Sequence, residues 1–241
     1  MAGVVATQGG ADRMRAPRKM SMVLKNPYAD SSSLPFRFRQ KRFAYVRELI
    51  DGIIAAKGSC RILDVGGETV YWNIAKDFID SRNVHITLVN LEAPVVTHPK
   101  MASERGDATD LSQYADNSFD LVHSNSVIEH VGDWIAMRKM AANVRRLAPK
   151  YYVQTPYFWF PVEPHVRLPF FHWLPEQLRY RILMRFDVGF SKRRSTIDSA
   201  MEDIQRMVLL DGRQFAALFP DAEMRSERVL GFTKSLIAIR S

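Results

Sequence analysis

The chain has 241 residues, 46% hydrophobic and 25% charged, enough for one sizeable α/β domain with a real core. Its apolar runs stop well short of the roughly 20 residues a membrane span needs, MAGVVATQGGADR is too short an apolar stretch for a secretory signal, and the single cysteine, Cys60, excludes an internal disulfide framework or a cysteine-based zinc site. Residues 1–47 hold ten Lys/Arg against two acids, Asp12 and Asp30, which accounts for the whole net charge of +8. The balanced remainder demands no basic groove for nucleic acid, and a cytoplasmic setting is expected.

Residues 1–30, with Gly9-Gly10, Pro17, Pro27 and scattered bases, read as a largely disordered basic arm. Ser31-Ser32-Ser33 before Leu34-Pro35 resembles a helix entry, and Phe43, Val46, Leu49, Ile50, Ile53 and Ile54 recur at helical spacing up to Gly58. The bases on this helix, Arg37, Arg39, Lys41, Arg42 and Arg47, read first as a solvated face. Arg61 to Val65 is a buried strand running into Gly66-Gly67. A helical segment from Tyr71 to Ser81 leads to a second strand, Val84 to Asn90. A further strand covers Phe119 to Ser124, Asp133 to Leu147 is an amphipathic helix, and Tyr151 to Thr155 is a strand stopped by Pro156. Lys192-Arg193-Arg194 reads as a solvated loop. Glu227 to Phe232 and Ser235 to Ile239 suggest an antiparallel pair. Strands alternating with helices predict a doubly wound, mainly parallel sheet covered on both faces.

Such a sheet binds its ligand beyond the carboxyl ends of its strands, where strand order reverses. Four strand ends are therefore informative. Asp64-Val65-Gly66-Gly67-Glu68 offers a turn whose backbone can approach a ligand closely. Asn90-Leu91-Glu92 offers acceptors for ribose hydroxyls. Gly106-Asp107-Ala108-Thr109 offers a carboxylate for an exocyclic amine or, equally, a local turn with Thr109. Ser124-Asn125 leads into Ser126 to His130.

Taken in order, ILDVGG, ITLVNLE, GDATDL, NSFDLVHSNSVIEHV and GFTKSLIAI resemble the class I S-adenosylmethionine-dependent methyltransferases, over roughly residues 40–241. The resemblance implies a Rossmann-like α/β fold of seven strands with the last antiparallel, and S-adenosylmethionine as cofactor. It implies that Asp64, Gly66 and Gly67 border the methionine moiety, that Glu92 or Asn90 holds the ribose, that Asp107 and the Ala108 backbone recognise adenine, and that Ser124 and Asn125 line the sulfonium. The family's turn usually reads D-x-G-x-G-x-G; here Glu68 and Val70 stand at the later glycine positions, so Glu68 would pair with the cofactor ammonium or mark weakened binding.

After Pro156 comes YFWFPVEPHVRLPFFHW, dense in aromatics and prolines, which predicts a stiff loop over the acceptor site and a lid insertion at about 156–213 in a single domain spanning 31–241. If the acceptor is a hydroxyl, a base near neutral pKa helps, and His165 and His130 are the candidates, with Glu163 to orient His165. Glu129 and His130 match part of a metal set found in ubiquinone-pathway O-methyltransferases, but Ser126 stands where an acid would be needed, so no metal is expected. The expected activity is methyl transfer to oxygen or nitrogen of a small molecule, with nucleic acid an unlikely partner. The rivals are an RNA or protein methyltransferase docking through the basic arm, and a degenerate fold kept for binding.

Overall fold

The computed structural model describes residues 33–162, 168–189 and 191–241. The proposed arm at 1–30 and two candidate groups, Glu163 and His165, lie outside the described residues.

Helix α1 (Leu34–Lys57) begins where Ser33 Oγ accepts from the Phe36 amide at 3.2 Å and ends at Gly58, whose left-handed φ of 78° carries its amide back to Ile54 O. β1 (Cys60–Val65) follows. The single helix expected over 71–81 is broken into α2 (Thr69–Trp72), a 3₁₀ turn (Asn73–Ala75) and α3 (Lys76–Asp80). β2 (Val84–Asn90) leads to β3 (Met101–Arg105), a strand the periodicity did not reveal. It pairs only with β2, at the sheet edge, where one flank is unpaired and polar side chains are tolerated. β4 (Leu121–Asn125), a 3₁₀ turn (Ile128–His130), α4 (Trp134–Leu147) and β5 (Lys150–Pro156) complete the central units. Asp133 caps α4 by accepting from the Ala136 amide at 2.9 Å.

With β6 (Glu223–Val229) and β7 (Phe232–Arg240) at the end of the chain, the seven strands lie in the order β3-β2-β1-β4-β5-β7-β6. All pairs are parallel except those of β7, which runs against both β5 and β6. The strand order reverses between β1 and β4, which makes the carboxyl edge there the place for a ligand. One core cluster packs α1, Tyr71, Trp72 and Phe78 on one sheet face, and a second packs α4 and α7 (Gly212–Leu218) on the other.

The insertion is more than a stiff loop. Past Phe158 it carries a 3₁₀ turn (Phe171–Trp173), α5 (Glu176–Arg185) and α6 (Ile197–Gln205). These helices pack on each other around their own cluster of Phe171, Leu183, Val188, Ala200 and Ile204. From Glu176 no proline interrupts the chain until α5 ends, and Leu183, with Ile182 beside it, turns into the cluster.

Candidate functional site

The turns after β1, β3 and β4 are each stitched to a neighbouring strand end. The Gly66 amide donates to Val89 O at 2.8 Å, Gly106 to Asn90 O at 2.8 Å, and Ser126 to Gln154 O at 2.9 Å. Together they set Gly66, Gly67, Asn90, Asp107, Ser124 and Asn125 along one carboxyl edge. Glycine is required at two of these turns. Gly66 has φ of 70°, and a Cβ there would come within 2.5 Å of Val127 Cγ2; a Cβ on Gly67 would overlap the Asp64 carboxylate. Ser126 also holds a left-handed φ, 58°, in the turn leaving β4.

Asp64 is not turned to a ligand. It is 1% exposed; Oδ2 accepts from Trp72 Nε1 at 2.7 Å and Oδ1 lies 2.6 Å from His123 Nδ1. The register explains this: Asp64, His123 and Tyr152 are cross-strand partners on β1, β4 and β5, forming a polar row beneath α1. The His123 ring stacks on Tyr152 at 5° and 5.4 Å and lies 4.5 Å from Tyr71. Its Nε2, like the Tyr71 and Tyr152 hydroxyls, is buried without a hydrogen-bond partner among the described residues. Burial pushes both tyrosine hydroxyls above their ordinary pKa. Asp64 therefore supports the glycine turn from below, since the Gly67 Cα rests on its carboxylate.

The other candidates divide. Glu68 is exposed at the start of α2, with no capping hydrogen bond from its side chain. Asn90 ends β2, its Oδ1 accepting from the Leu91 amide at 2.9 Å; the strand stops there, so exposed Glu92 lies in the following bend and shares no strand face with Asn90. Asp107 forms the local turn, its Oδ1 accepting from both the amide and hydroxyl of Thr109 at 2.8 and 2.9 Å; Oδ2 stays open. The Ala108 carbonyl accepts from Asn143 Nδ2 at 3.1 Å. Ser124 Oγ is buried against Val65 O at 3.1 Å, while Asn125 is half-buried with Oδ1 3.4 Å from Arg42 Nη2.

Arg42 departs from the expected solvated face. It is 7% exposed, and its Nη1 reaches both Glu227 oxygens at 2.9 and 2.8 Å, with Ser235 Oγ donating to the same carboxylate at 2.8 Å. Lys234 adds a looser contact at 3.5 Å; burial lowers its pKa, with Glu227 opposing. This buried ion pair roofs the edge beside Asn125.

Glu129 and His130 part company. Glu129 is buried and accepts from Thr155 Oγ1 at 3.0 Å; His130 is exposed with Nδ1 3.2 Å from Arg206 O. Arg194, expected in a solvated loop, binds Asp203 at 2.5 Å. The aromatic segment leaves the edge alongside β7, with the Tyr157 amide on Lys234 O and the Phe158 amide on Leu210 O.

The family model described as a methyltransferase domain matches residues 60–149, which span β1 to the end of α4. No curated protein matches the chain. Among solved structures, a possible exported protein from Bordetella parapertussis is 13% identical, with 83% of this chain and 67% of that one covered at a TM-score of 0.51, a likeness of fold. The complex between the Haloferax volcanii Trm112 methyltransferase activator and a candidate methyltransferase is 14% identical, covering 84% and 93% at 0.45. Magnesium protoporphyrin IX methyltransferase from Synechocystis with bound S-adenosylhomocysteine is 11% identical, covering 85% and 84% at 0.45. Among the described residues no helix is long and apolar enough to cross a membrane.

Proposed function

We propose, from the premise that this chain belongs through residues 60–149 to the class I S-adenosylmethionine-dependent methyltransferases, that it methylates oxygen or nitrogen of a small molecule. The observation that carries the cofactor half is the glycine cradle. Gly66 and Gly67 let the turn after β1 close tightly against Val127 and Asp64, where a Cβ would clash, and Gly106 does the same after β3 against Val89, so backbone rather than side chain meets the edge where the sheet order reverses.

The residues present fit the cofactor. Gly66, Gly67 and Glu68 would hold its methionine end, Asn90 and Glu92 its ribose, Asp107 and the Ala108 backbone its adenine, and Asn125 would line the sulfonium; Ser124, expected beside it, is fully buried with its hydroxyl on Val65 O and does not face the edge. Bound S-adenosylmethionine supplies an electrophilic methyl whose transfer leaves the bonding pair on sulfur. The chain's own work is to align acceptor, methyl and sulfur and to exclude water. Asn125, steadied by Arg42, and the aromatic segment from Phe158 would share this work. The acceptor proton would pass to His130, or to His165 oriented by Glu163.

A small acceptor is the reading we favour over a macromolecule because the insertion packs as helices with a core of their own beside the turn that follows β4, to which Val208 and Arg206 bond. Calorimetric titration with S-adenosylhomocysteine tests the cofactor half. Micromolar binding that fails in Gly66→Ala is expected; no binding at millimolar concentration would return the chain to the degenerate, binding-only reading. His130→Ala should lower turnover while leaving that affinity intact.

A further inference from the structure

Among the described residues, four other than glycine hold a left-handed φ: Asn117, Ser126, Phe170 and Leu230. Asparagine is an ordinary occupant of that region, and Ser126 belongs to the turn leaving β4. Phe170, at 63°, and Leu230, at 50°, are bulky apolar residues to which it brings strain. Both are also exposed, by 52% and 94%. Strained backbone and apolar surface in water each cost the folded chain, so their coincidence at two separate turns points to a use outside it.

The two turns belong to one rim. β5 ends at Pro156, opposite Ser235 of β7, and the next amide, Tyr157, donates to Lys234 O at 3.0 Å. From that bond the chain runs two residues forward to Trp159, and two residues back along β7 to Phe232, past the same end of the sheet. Leu230 and Gly231 make the two-residue turn of the β6–β7 hairpin, and φ values of 50° and 87° are those of the turn that favours Asn-Gly. Phe232 beside it is exposed as well. On the insertion, the Phe170 amide is held on Pro161 O at 2.7 Å; its ring lies 4.9 Å from that of Trp173, which lies 5.9 Å from that of Trp159. All three rings are exposed.

The flank of this rim is basic. Lys234 lies over the Phe38 ring at 3.9 Å and Arg42 binds Glu227, contacts that fasten the first turns of α1 to the hairpin. Arg37 and Lys41, one residue before each of those anchors, are exposed and have no acidic partner among the described residues; the same holds for Arg228 on β6. Residues 1–32 join the described structure just before α1, and they carry five further bases, Arg13, Arg15, Arg18, Lys19 and Lys25, against Asp12 and Asp30.

We infer that this rim docks on an anionic lipid bilayer. Trp159, Phe170, Trp173, Leu230 and Phe232 enter the headgroup boundary, while the bases of α1 and of the residues before it lie over the charged headgroups. Apolar insertion and a polybasic patch are the two signals that peripheral attachment needs together. Leucine offers no stacking face, so its place at the hairpin tip, the most exposed of the set, speaks for acyl chains over nucleic-acid bases. The docking rests on neither the cofactor nor the acceptor reading.

Co-sedimentation of the full chain with vesicles tests this, with equal parts phosphatidylcholine and phosphatidylglycerol compared against phosphatidylcholine alone. The mixed vesicles should bind the chain, less as salt rises, and the neutral ones should bind it at least about tenfold more weakly. Leu230→Asn with Phe232→Ser, and separately Phe170→Asn with Trp159→Ser, should each weaken binding by at least about tenfold. Asparagine suits both left-handed positions, and an unchanged urea midpoint will show that each chain is intact. Arg37→Gln with Lys41→Gln should cost about fivefold per charge. No binding to the mixed vesicles, equal binding to both kinds, or parent-like binding by either apolar pair would overturn the docking. So would self-association, or capture of polyuridylate, that disappears in the apolar pairs while vesicles bind nothing; the rim would then belong to a second copy of the chain or to nucleic acid.

Discussion

Replacing Asp64 measures how far the turn at Gly66-Gly67 rests on a buried carboxylate. Its two oxygens serve two buried donors, Trp72 Nε1 and His123 Nδ1. Asp64→Ala leaves both without an acceptor in a region closed to water. At about 1–3 kcal/mol for each stranded donor, the cost is roughly 2–6 kcal/mol, a large part of the 5–15 kcal/mol typical of a folded domain. Asp64→Asn should cost less, about 1–3 kcal/mol. Its one oxygen can keep Trp72, and its amide can donate to His123 Nδ1 if the imidazole proton moves to Nε2, where it remains buried and unpaired. Urea unfolding followed by tryptophan fluorescence reads this directly, with Trp72 itself among the reporters. The expected order is parent, then Asn, then Ala, with Tm falling by roughly 2–4 °C per kcal/mol at this chain length. Because the Gly67 Cα rests on the carboxylate, both variants should also weaken S-adenosylhomocysteine binding. An Ala variant within about 0.5 kcal/mol of the parent, the range of a surface change, would refute the buried network and its support of the turn.

Gly66→Ala should destabilise by about 1–2 kcal/mol from the left-handed φ alone, before the clash with Val127, and chemical denaturation will show whether it does. Arg42→Ala takes the bidentate partner from the Glu227 carboxylate and leaves it only Ser235 and Lys234, at a cost of up to about 3–5 kcal/mol in the same assay; Arg42→Met with Glu227→Leu should recover most of it, and no recovery would argue against the pairing. Burial, with Asp120 adding and Lys57 opposing, pushes the Cys60 thiol up to about 12. At pH 8 a thiol reagent should therefore label the chain only as fast as it unfolds. Asp221 is drawn upward by burial, but hydrogen bonds from Tyr151 at 2.7 Å and Arg240 at 2.6 Å outweigh this and hold its carboxyl below the usual value. A lowered folded pKa gives stability that is present above the unfolded value, about 3.9, and lost as pH falls through the folded one. Asp221→Asn should then be less stable at pH 7 and level with the parent near pH 2; a deficit independent of pH would count against it.

The parts of the fold legible in the sequence are those where burial is local and repetitive. Buried parallel strands are apolar on both faces, so β1, β2, β4 and β5 stand out, and the glycines that close the turn at Gly66-Gly67 mark where the first of them ends. β3 escapes because an edge strand reading Met-Ala-Ser-Glu-Arg need not be apolar. What the sequence conceals is pairing at long range. Asp64 and His123 are 59 residues apart, and Arg42 and Glu227 are 185 apart; only register and helix placement bring them together. A signal for the first pair did exist: a histidine inside the strand Leu121-Val122-His123-Ser124-Asn125 is a buried polar group that must find a partner, and β1 supplies an acid at the matching depth. No comparable signal marks Arg42, which looks on paper like its solvated neighbours Lys41 and Arg37. The consequence for the site is specific. Four strand ends suffice to mark the carboxyl edge we propose for the cofactor, but the residues that stiffen it, Asp64, His123, Trp72, Arg42 and Glu227, are fixed by the tertiary fold. A change at any of them should therefore alter stability and cofactor affinity together, whereas a change at exposed Glu92 or Asp107 should alter affinity alone.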